Sequence, residues 1–225
     1  MMTLDEKFKA IEANNAPGQE VRQQIGNLST IQQGEKLDGV PVDFSHGDVD
    51  AFPPTPSSEI AWKDGFNKGA SQAYTEYRGS ADIRNKLAIR LGKFTGYPID
   101  PNNELIITPG TQGALFLALG AIVGNETKVA VVEPDYFANR KLVKFFGGII
   151  VPIPLNYKDS QSKNSPDISQ IEEAFKNGTK VLVFSTPNNP TGLVYSNAII
   201  NKIGVLAQAY GVTVIVDQLY SRMLY

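Results

Sequence analysis

Four short stretches carry side chains that can bind or move charge. "VIVDQLY", Val214 to Tyr220, ends an apolar run in an aspartate and sets a tyrosine three residues beyond it. A carboxylate delivered by a buried strand is costly unless a cation meets it. "TPNNPTG", Thr186 to Gly192, holds Asn189 directly before a proline. That neighbour keeps Asn189 out of the α region and fixes the direction of its amide. "PDYFANR" puts Tyr136 where its ring can stack on a planar ligand. In "PGTQGAL", Gly110, Thr111 and Gln112 open a helix, whose free N–H groups and dipole suit a phosphate.

Each stretch has a plainer use when taken alone. A Gly-rich helix start is often a turn, a Pro-Asn loop a tight reversal, and a strand-end aspartate a helix cap. Together they form a phosphate cradle, an aromatic stacker, a fixed amide, a carboxylate and a phenol. A planar, phosphorylated cofactor with a basic ring nitrogen and a phenolic oxygen needs that set. Pyridoxal 5'-phosphate is such a molecule. Asp217 would meet its pyridinium and keep the ring an electron sink for a carbanion at a substrate Cα.

The elements that must position these residues alternate. "SADIRNKLAIRLGKF" reads as a helix capped by Ser80, with Ile83, Leu87 and Leu91 on one face. "ELIIT" reads as a strand and "QGALFLALGAIV" as a helix. "KVAVVE" is a strand, and "YFANRKLVKFFGG" a helix closed by glycine. "IIVPIPL", "KVLVFS" and "VTVIVD" read as strands. "DISQIEEAFKNG", capped by Asp167, and "NAIINKIGVLAQAYG" read as the helices between them. Apolar strands alternating with helices predict an α/β fold, a three-layer α/β/α sandwich with a mostly parallel central sheet. Ligands of such sheets bind beyond the C-terminal strand ends, where all four stretches fall. The first thirty or so residues read as one or two amphipathic helices, with Leu4, Phe8 and Ile11 at helical spacing. "HGDVDAFPPTPSSE" reads as an extended connector. The predicted division is residues 1–50 as an N-terminal segment and 51–225 as part of the main domain.

Bulk properties narrow the function. Of 225 residues, 42% are hydrophobic and 20% charged, and the net charge is −2. That balance favours neither a nucleic-acid partner nor an anionic membrane. No cysteine is present, which excludes thiolate metal sites and thiol nucleophiles and is compatible with a reducing cytosol. No metal site is expected, and His46, the only histidine, is given no catalytic role. No apolar run reaches the length of a membrane span. Arg78, Arg84, Lys141 and Arg222 read as surface or interface charges.

"PNNPTG" and "VIVDQLY", in that order and separation, resemble the fold-type I pyridoxal-phosphate-dependent aminotransferases, the aspartate aminotransferase superfamily. "YTEYRGSADIR" and "ITPGTQGAL" add to the likeness, which runs from about Val42 to Tyr225. The resemblance implies that Asp217 partners the pyridine nitrogen and that Asn189 and Tyr220 donate to the phenolic oxygen. It places Tyr136 on the ring and Gly110, Thr111 and Gln112 at the phosphate. Tyr74 would reach the phosphate held by a partner subunit, and Gly47 would lie near the substrate with Asn189. It further implies a cytoplasmic homodimer acting on an amino acid and a 2-keto acid, with residues 1–50 in the small domain or the dimer contact. The family's Schiff-base lysine follows the Asp-x-x-Tyr strand by roughly another strand and loop, whereas only "SRMLY" follows Tyr220 here. The chain therefore reads as the N-terminal part of the large domain of a longer enzyme, truncated before that lysine and inactive alone. Another pyridoxal-phosphate reaction, such as a lyase or decarboxylase, and a non-catalytic aminotransferase-like module are the alternatives.

Overall fold

The computed structural model describes residues 2–12, 53–69, 74–155, 157 and 165–223. In chain order the elements are α1 (Leu4–Ala10), α2 (Ser57–Gly69), α3 (Ala81–Thr95), α4 (Gly110–Ile122), β1 (Lys128–Glu133), α5 (Phe137–Phe145), β2 (Ile149–Pro154), α6 (Ile168–Lys176), β3 (Val181–Ser185), α7 (Asn197–Tyr210) and β4 (Thr213–Asp217). Contacts gather them into two units, Met1–Ala16 with Thr108–Tyr225, and Pro17–Ile107. This grouping differs from a division at residue 50.

The first unit holds the sheet, four parallel strands in the order β2-β1-β3-β4. Side chains alternate across each strand, so each strand supplies both faces. Val129 and Val131 of β1 and Val181 and Val183 of β3 pack with Leu119 of α4 and Val143 of α5. Ala130, Val132, Leu182 and Phe184 pack on the other face with Ile171 and Phe175 of α6 and Ile203 and Ala207 of α7. The three-layer α/β/α architecture follows from those two cores.

Local chemistry explains where the helices start. Asp167 caps α6 by accepting the Ser169 N–H at 2.8 Å, as predicted. Thr3 and Glu6 form a reciprocal capping box on α1. That helix lies on α5 through an edge-to-face contact of Phe8 with Phe145. The rest of the predicted N-terminal helical segment lies outside the described residues, as do His46 and Gly47.

Four expectations need correction. "ELIIT" is not a strand: among the described residues its only backbone bond outside its own loop is from the Ile107 N–H to the Arg78 carbonyl, and Ile106 is 52% exposed. A strand requires a ladder, and no neighbour among the described residues supplies one. β4 is an edge strand paired only with β3 among the described strands, so it is only partly covered, whereas β3 is buried throughout. The predicted connector ends early, because Ser57 already begins α2, a helix with no counterpart in the sequence reading. Ser80 precedes α3 without capping it; the Glu76 carboxylate takes the Ala81 N–H instead, at 3.3 Å.

Arg84, read as a surface charge, is a fifth correction and the anchor of the second unit. It is 4% exposed. Its guanidinium meets the Glu76 carboxylate at 2.5 Å and the Gly79 carbonyl at 2.9 Å, and also donates to the Pro101 carbonyl. One planar fork thus ties the "TEYRGS" turn to the loop after Asp100. Gly79 sits at φ 90°, and a Cβ there would stand 2.5 Å from the Ile107 side chain, so the turn requires glycine.

Candidate active site

The strand order reverses at β1. The chain leaves β1 for β2 on one side, then crosses to β3 on the other. The crevice beyond the C-terminal ends of β1 and β3 is where such sheets hold ligands. A cavity of 340 Å³ opens there, within the roughly 300–1,000 Å³ range of small-molecule sites. It is lined by Gly110, Thr111, Gln112, Tyr136, Asn189, Asp217 and Tyr220, together with Pro109, Ser185, Pro187 and Leu219. Residues from four separate loops, up to about a hundred positions apart, therefore share one cavity.

Each wall has a local cause. Gly110 adopts φ 73°, the left-handed conformation that a side chain resists, and turns the chain into α4. Pro109 stands at the cap position, and no side chain caps the helix. The first-turn N–H groups of a helix have no acceptor within it, and the dipole adds partial positive charge there. Tyr136 is the cap residue of α5 and half-buried, and its hydroxyl accepts from the Gln112 side chain at 2.7 Å.

Among the described residues, Asp217 is the charged side chain that lines the cavity. It ends β4 and is 6% exposed. Its Oδ1 accepts the Leu219 N–H at 3.0 Å. Among the described residues no cation pairs with it. Among the described residues no lysine or arginine lines this cavity.

The "TPNNPTG" loop is held from within. The Asn188 Oδ1 accepts the Thr191 hydroxyl at 2.6 Å and its N–H at 3.1 Å, and the Asn188 N–H donates to the Leu193 carbonyl. Asn188, the buried asparagine, is thereby spent on the loop. Asn189 is left lining the cavity.

The sequence reading assigned no role to Asp135, Ser185 or Asn188. The Asp135 carboxylate accepts the Ser185 hydroxyl at 2.6 Å and the Ser185 N–H at 2.8 Å. It also accepts the Tyr136 N–H at 2.6 Å and the Asn139 amide at 3.2 Å. Burial pushes its carboxyl above the usual range, opposed by the hydrogen bonds from Ser185. Beyond it the Tyr195 hydroxyl is buried without a hydrogen-bond partner among the described residues. Burial, and then the charge of Asp135, push that phenol up. "PDY" beside a strand end was the available signal, but the partner lies fifty positions away at Ser185.

Tyr74 belongs to the second unit and is 94% exposed. Gly47 lies outside the described residues. No group of acidic and histidine side chains able to hold a metal occurs among the described residues. No described helix is long and apolar enough to cross a membrane.

The profile of the family described as "Aminotransferase class I and II" matches residues 42–225. The chain belongs to the class I and II aminotransferase family. Within that family it is similar to an aspartate aminotransferase from Rhodobacter sphaeroides, with 53% identity, a TM-score of 0.81, and 92% of this chain matched to 54% of that one. The structure of the Thermus thermophilus aspartate aminotransferase with maleate superposes on the whole chain, with a TM-score of 0.80, 26% identity and 55% of its own length covered. Human kynurenine–oxoglutarate transaminase 1 is 30% identical over 86% of this chain and 51% of its own. The chain thus spans about half the length of these family relatives.

Proposed function

We propose that this chain supplies the cofactor-binding half of a pyridoxal-phosphate-dependent aminotransferase, which moves an amino group between an amino acid and a 2-keto acid. The observation that carries the reading is Asp217, a buried carboxylate at the wall of the cavity, with no cationic partner among the described residues. A buried anion of that kind calls for a cation from the ligand, and a pyridinium is one.

The other walls fit the same molecule. The uncapped start of α4, at Gly110, Thr111 and Gln112, would hold the phosphate through backbone N–H groups. Tyr136 would cover the ring, with Gln112 limiting the swing of its phenol. Asn189 and Tyr220 would donate to the phenolic oxygen. Pyridoxal phosphate, when bound, supplies an electron sink for charge that develops at the substrate Cα. Asp217 would hold the proton on the ring nitrogen, its carboxylate oriented by the Leu219 N–H. Asn189 and Gly47 would lie along the substrate side.

Tyr74 would extend to the phosphate of a second copy, in a homodimer with shared sites; its exposure supports this. The lysine that carries the cofactor is read as lying outside these 225 residues, in the part of the relatives that the chain does not span, and the chain by itself is read as inactive. A cytoplasmic setting belongs to the same reading.

The test uses the natural full-length protein. It should bind pyridoxal phosphate stoichiometrically and turn over an amino acid only when a 2-keto acid is present. Turnover without a keto acid would instead favour a lyase or decarboxylase. Borohydride reduction and peptide mapping should find the label beyond Tyr225. Stoichiometric labelling of one lysine within residues 1–225 would overturn the assignment of the lysine.

A further inference from the structure

We propose that Asp135 is a positioning residue for this site: its one carboxylate sets both the aromatic wall at Tyr136 and, through Ser185, the loop that presents Asn189. The inference rests on the cofactor-binding reading above for its functional meaning. It rests on geometry alone for the positioning.

Asp135 does not line the 340 Å³ cavity; Tyr136 and Ser185 do. It stands just after β1, on the β1 side of the crevice, and Ser185 ends β3 on the other. The carboxylate spans the two ends with bonds of 2.6 and 2.8 Å to the hydroxyl and N–H of Ser185. The same Oδ1 takes the Tyr136 N–H at 2.6 Å. The Ser185 hydroxyl, having given its proton to Asp135, is left as an acceptor, and the Asn189 N–H donates to it at 3.2 Å. The Asn188 amide closes the group with donations to the Pro134 carbonyl at 3.2 Å and to the Ser185 hydroxyl at 3.4 Å.

The direction of the serine proton is the working part. A carboxylate can only accept, so it forces the Ser185 hydroxyl to donate toward β1 and to offer its lone pairs to the loop. Without the carboxylate the hydroxyl is free to turn, and the Asn189 N–H loses a defined acceptor. Two walls of the cavity, fifty-three positions apart at Tyr136 and Asn189, thus depend on one charge. Asparagine at position 135 cannot replace it. Its single amide oxygen leaves an NH₂ group facing a donor, either the N–H of Ser185 or the donors gathered at Oδ1.

The test compares Asp135→Ala, Asp135→Asn and Ser185→Ala in the full-length protein, with Asp167→Ala as a variant destabilised far from the site. Without cofactor, hydrogen exchange is followed at the Tyr136 and Asn189 amides. Both Asp135 variants should speed exchange at Asn189, and Asp135→Ala also at Tyr136. Ser185→Ala should speed it at Asn189 only, and Asp167→Ala at neither beyond its global change. With pyridoxal phosphate, Asp135→Ala should lose affinity by about tenfold, the scale of a hydrogen bond to a charged group. The visible circular dichroism per bound cofactor should fall as well, since that signal reports how the ring is held. Unchanged exchange at Asn189 in a folded Asp135 variant would overturn the proposal, as would an unaltered dichroism per bound cofactor. If Asp135→Ala does not fold, Asp135→Asn and Ser185→Ala carry the same comparison. If the wild type takes up no pyridoxal phosphate, the cofactor reading falls, and the exchange pattern alone decides whether Asp135 positions these walls.

Discussion

Ser185 and Asp217 are register partners on the adjacent parallel strands β3 and β4, and both line the same cavity. One is a hydroxyl already committed to Asp135, and the other a carboxylate whose only side-chain hydrogen bond among the described residues is to the backbone of Leu219. The pairing places an unmatched charge beside a satisfied polar group. Under the proposed function, that asymmetry is why Asp217, and not its neighbour, is assigned the cationic ligand.

Asp217→Asn should therefore separate stability from function. Asparagine keeps an oxygen for the Leu219 N–H and removes a buried charge, so the cofactor-free protein should melt at the same temperature or higher. Turnover of the full-length enzyme should fall by roughly a hundredfold or more, because the lost interaction acts on developing charge. Thermal unfolding and steady-state kinetics on one preparation check both halves.

At Tyr136 two substitutions should part ways. Tyr136→Phe loses only the bond from Gln112 and should weaken cofactor binding by less than about threefold, on the low side of one neutral hydrogen bond. Tyr136→Ala removes the ring wall, and the loss should be roughly tenfold or more. Titration followed by the cofactor's absorbance measures both.

Tyr74→Phe should weaken cofactor retention without lowering the unfolding temperature, since its side chain is exposed in this chain. Mixing that variant with one inactivated at the Schiff-base lysine should restore some activity, because half the sites of a hybrid dimer would carry neither defect. No recovery, with subunit exchange shown by mass, would count against a shared site.

Arg84→Ala should be the most destabilising of these changes, at about 2–4 kcal/mol in denaturant unfolding. It strands the half-buried Gly79 and Pro101 carbonyls, although Glu76 is half in water and regains hydration. Arg84→Lys should recover only part of the loss, because an ammonium cannot reach all three acceptors as the planar fork does.

Asp167→Ala should cost about 1 kcal/mol at neutral pH, the usual value of a helix cap. Hydrogen bonds from the Ser169 hydroxyl, and then from its N–H, hold this carboxyl below the ordinary carboxylate range. A depressed value means stability that is present above the unfolded-state value of about 4 and lost as pH falls through the folded one. The gap between wild type and variant should accordingly close below about pH 4 in a pH series of unfolding curves.

Much of the fold was legible in the sequence because its signals are local. The alternation of apolar strands with capped helices, the Asp167 cap and the loops at the strand ends each depend on neighbours a few positions away. The convergence of Tyr136, Asn189 and Asp217 followed from their common place after strands, whereas Gly110 reaches the same cavity after a segment that forms no strand. Other features were decided only by tertiary contacts. "ELIIT" has the composition of a strand but finds no ladder among the described residues. Arg84 reads as a surface cation on a helix, and burial came from the loop after Asp100 folding over it. Asp135 carries no role that the sequence alone assigns. Its charge became a structural pivot because the order β2-β1-β3-β4 brings the end of β3 to it, and no pattern within β1 or its loop encodes which strand that neighbour will be. Local propensity chooses the elements. The pairing of distant strands decides which polar groups meet, and that choice is made by the shared core beneath them.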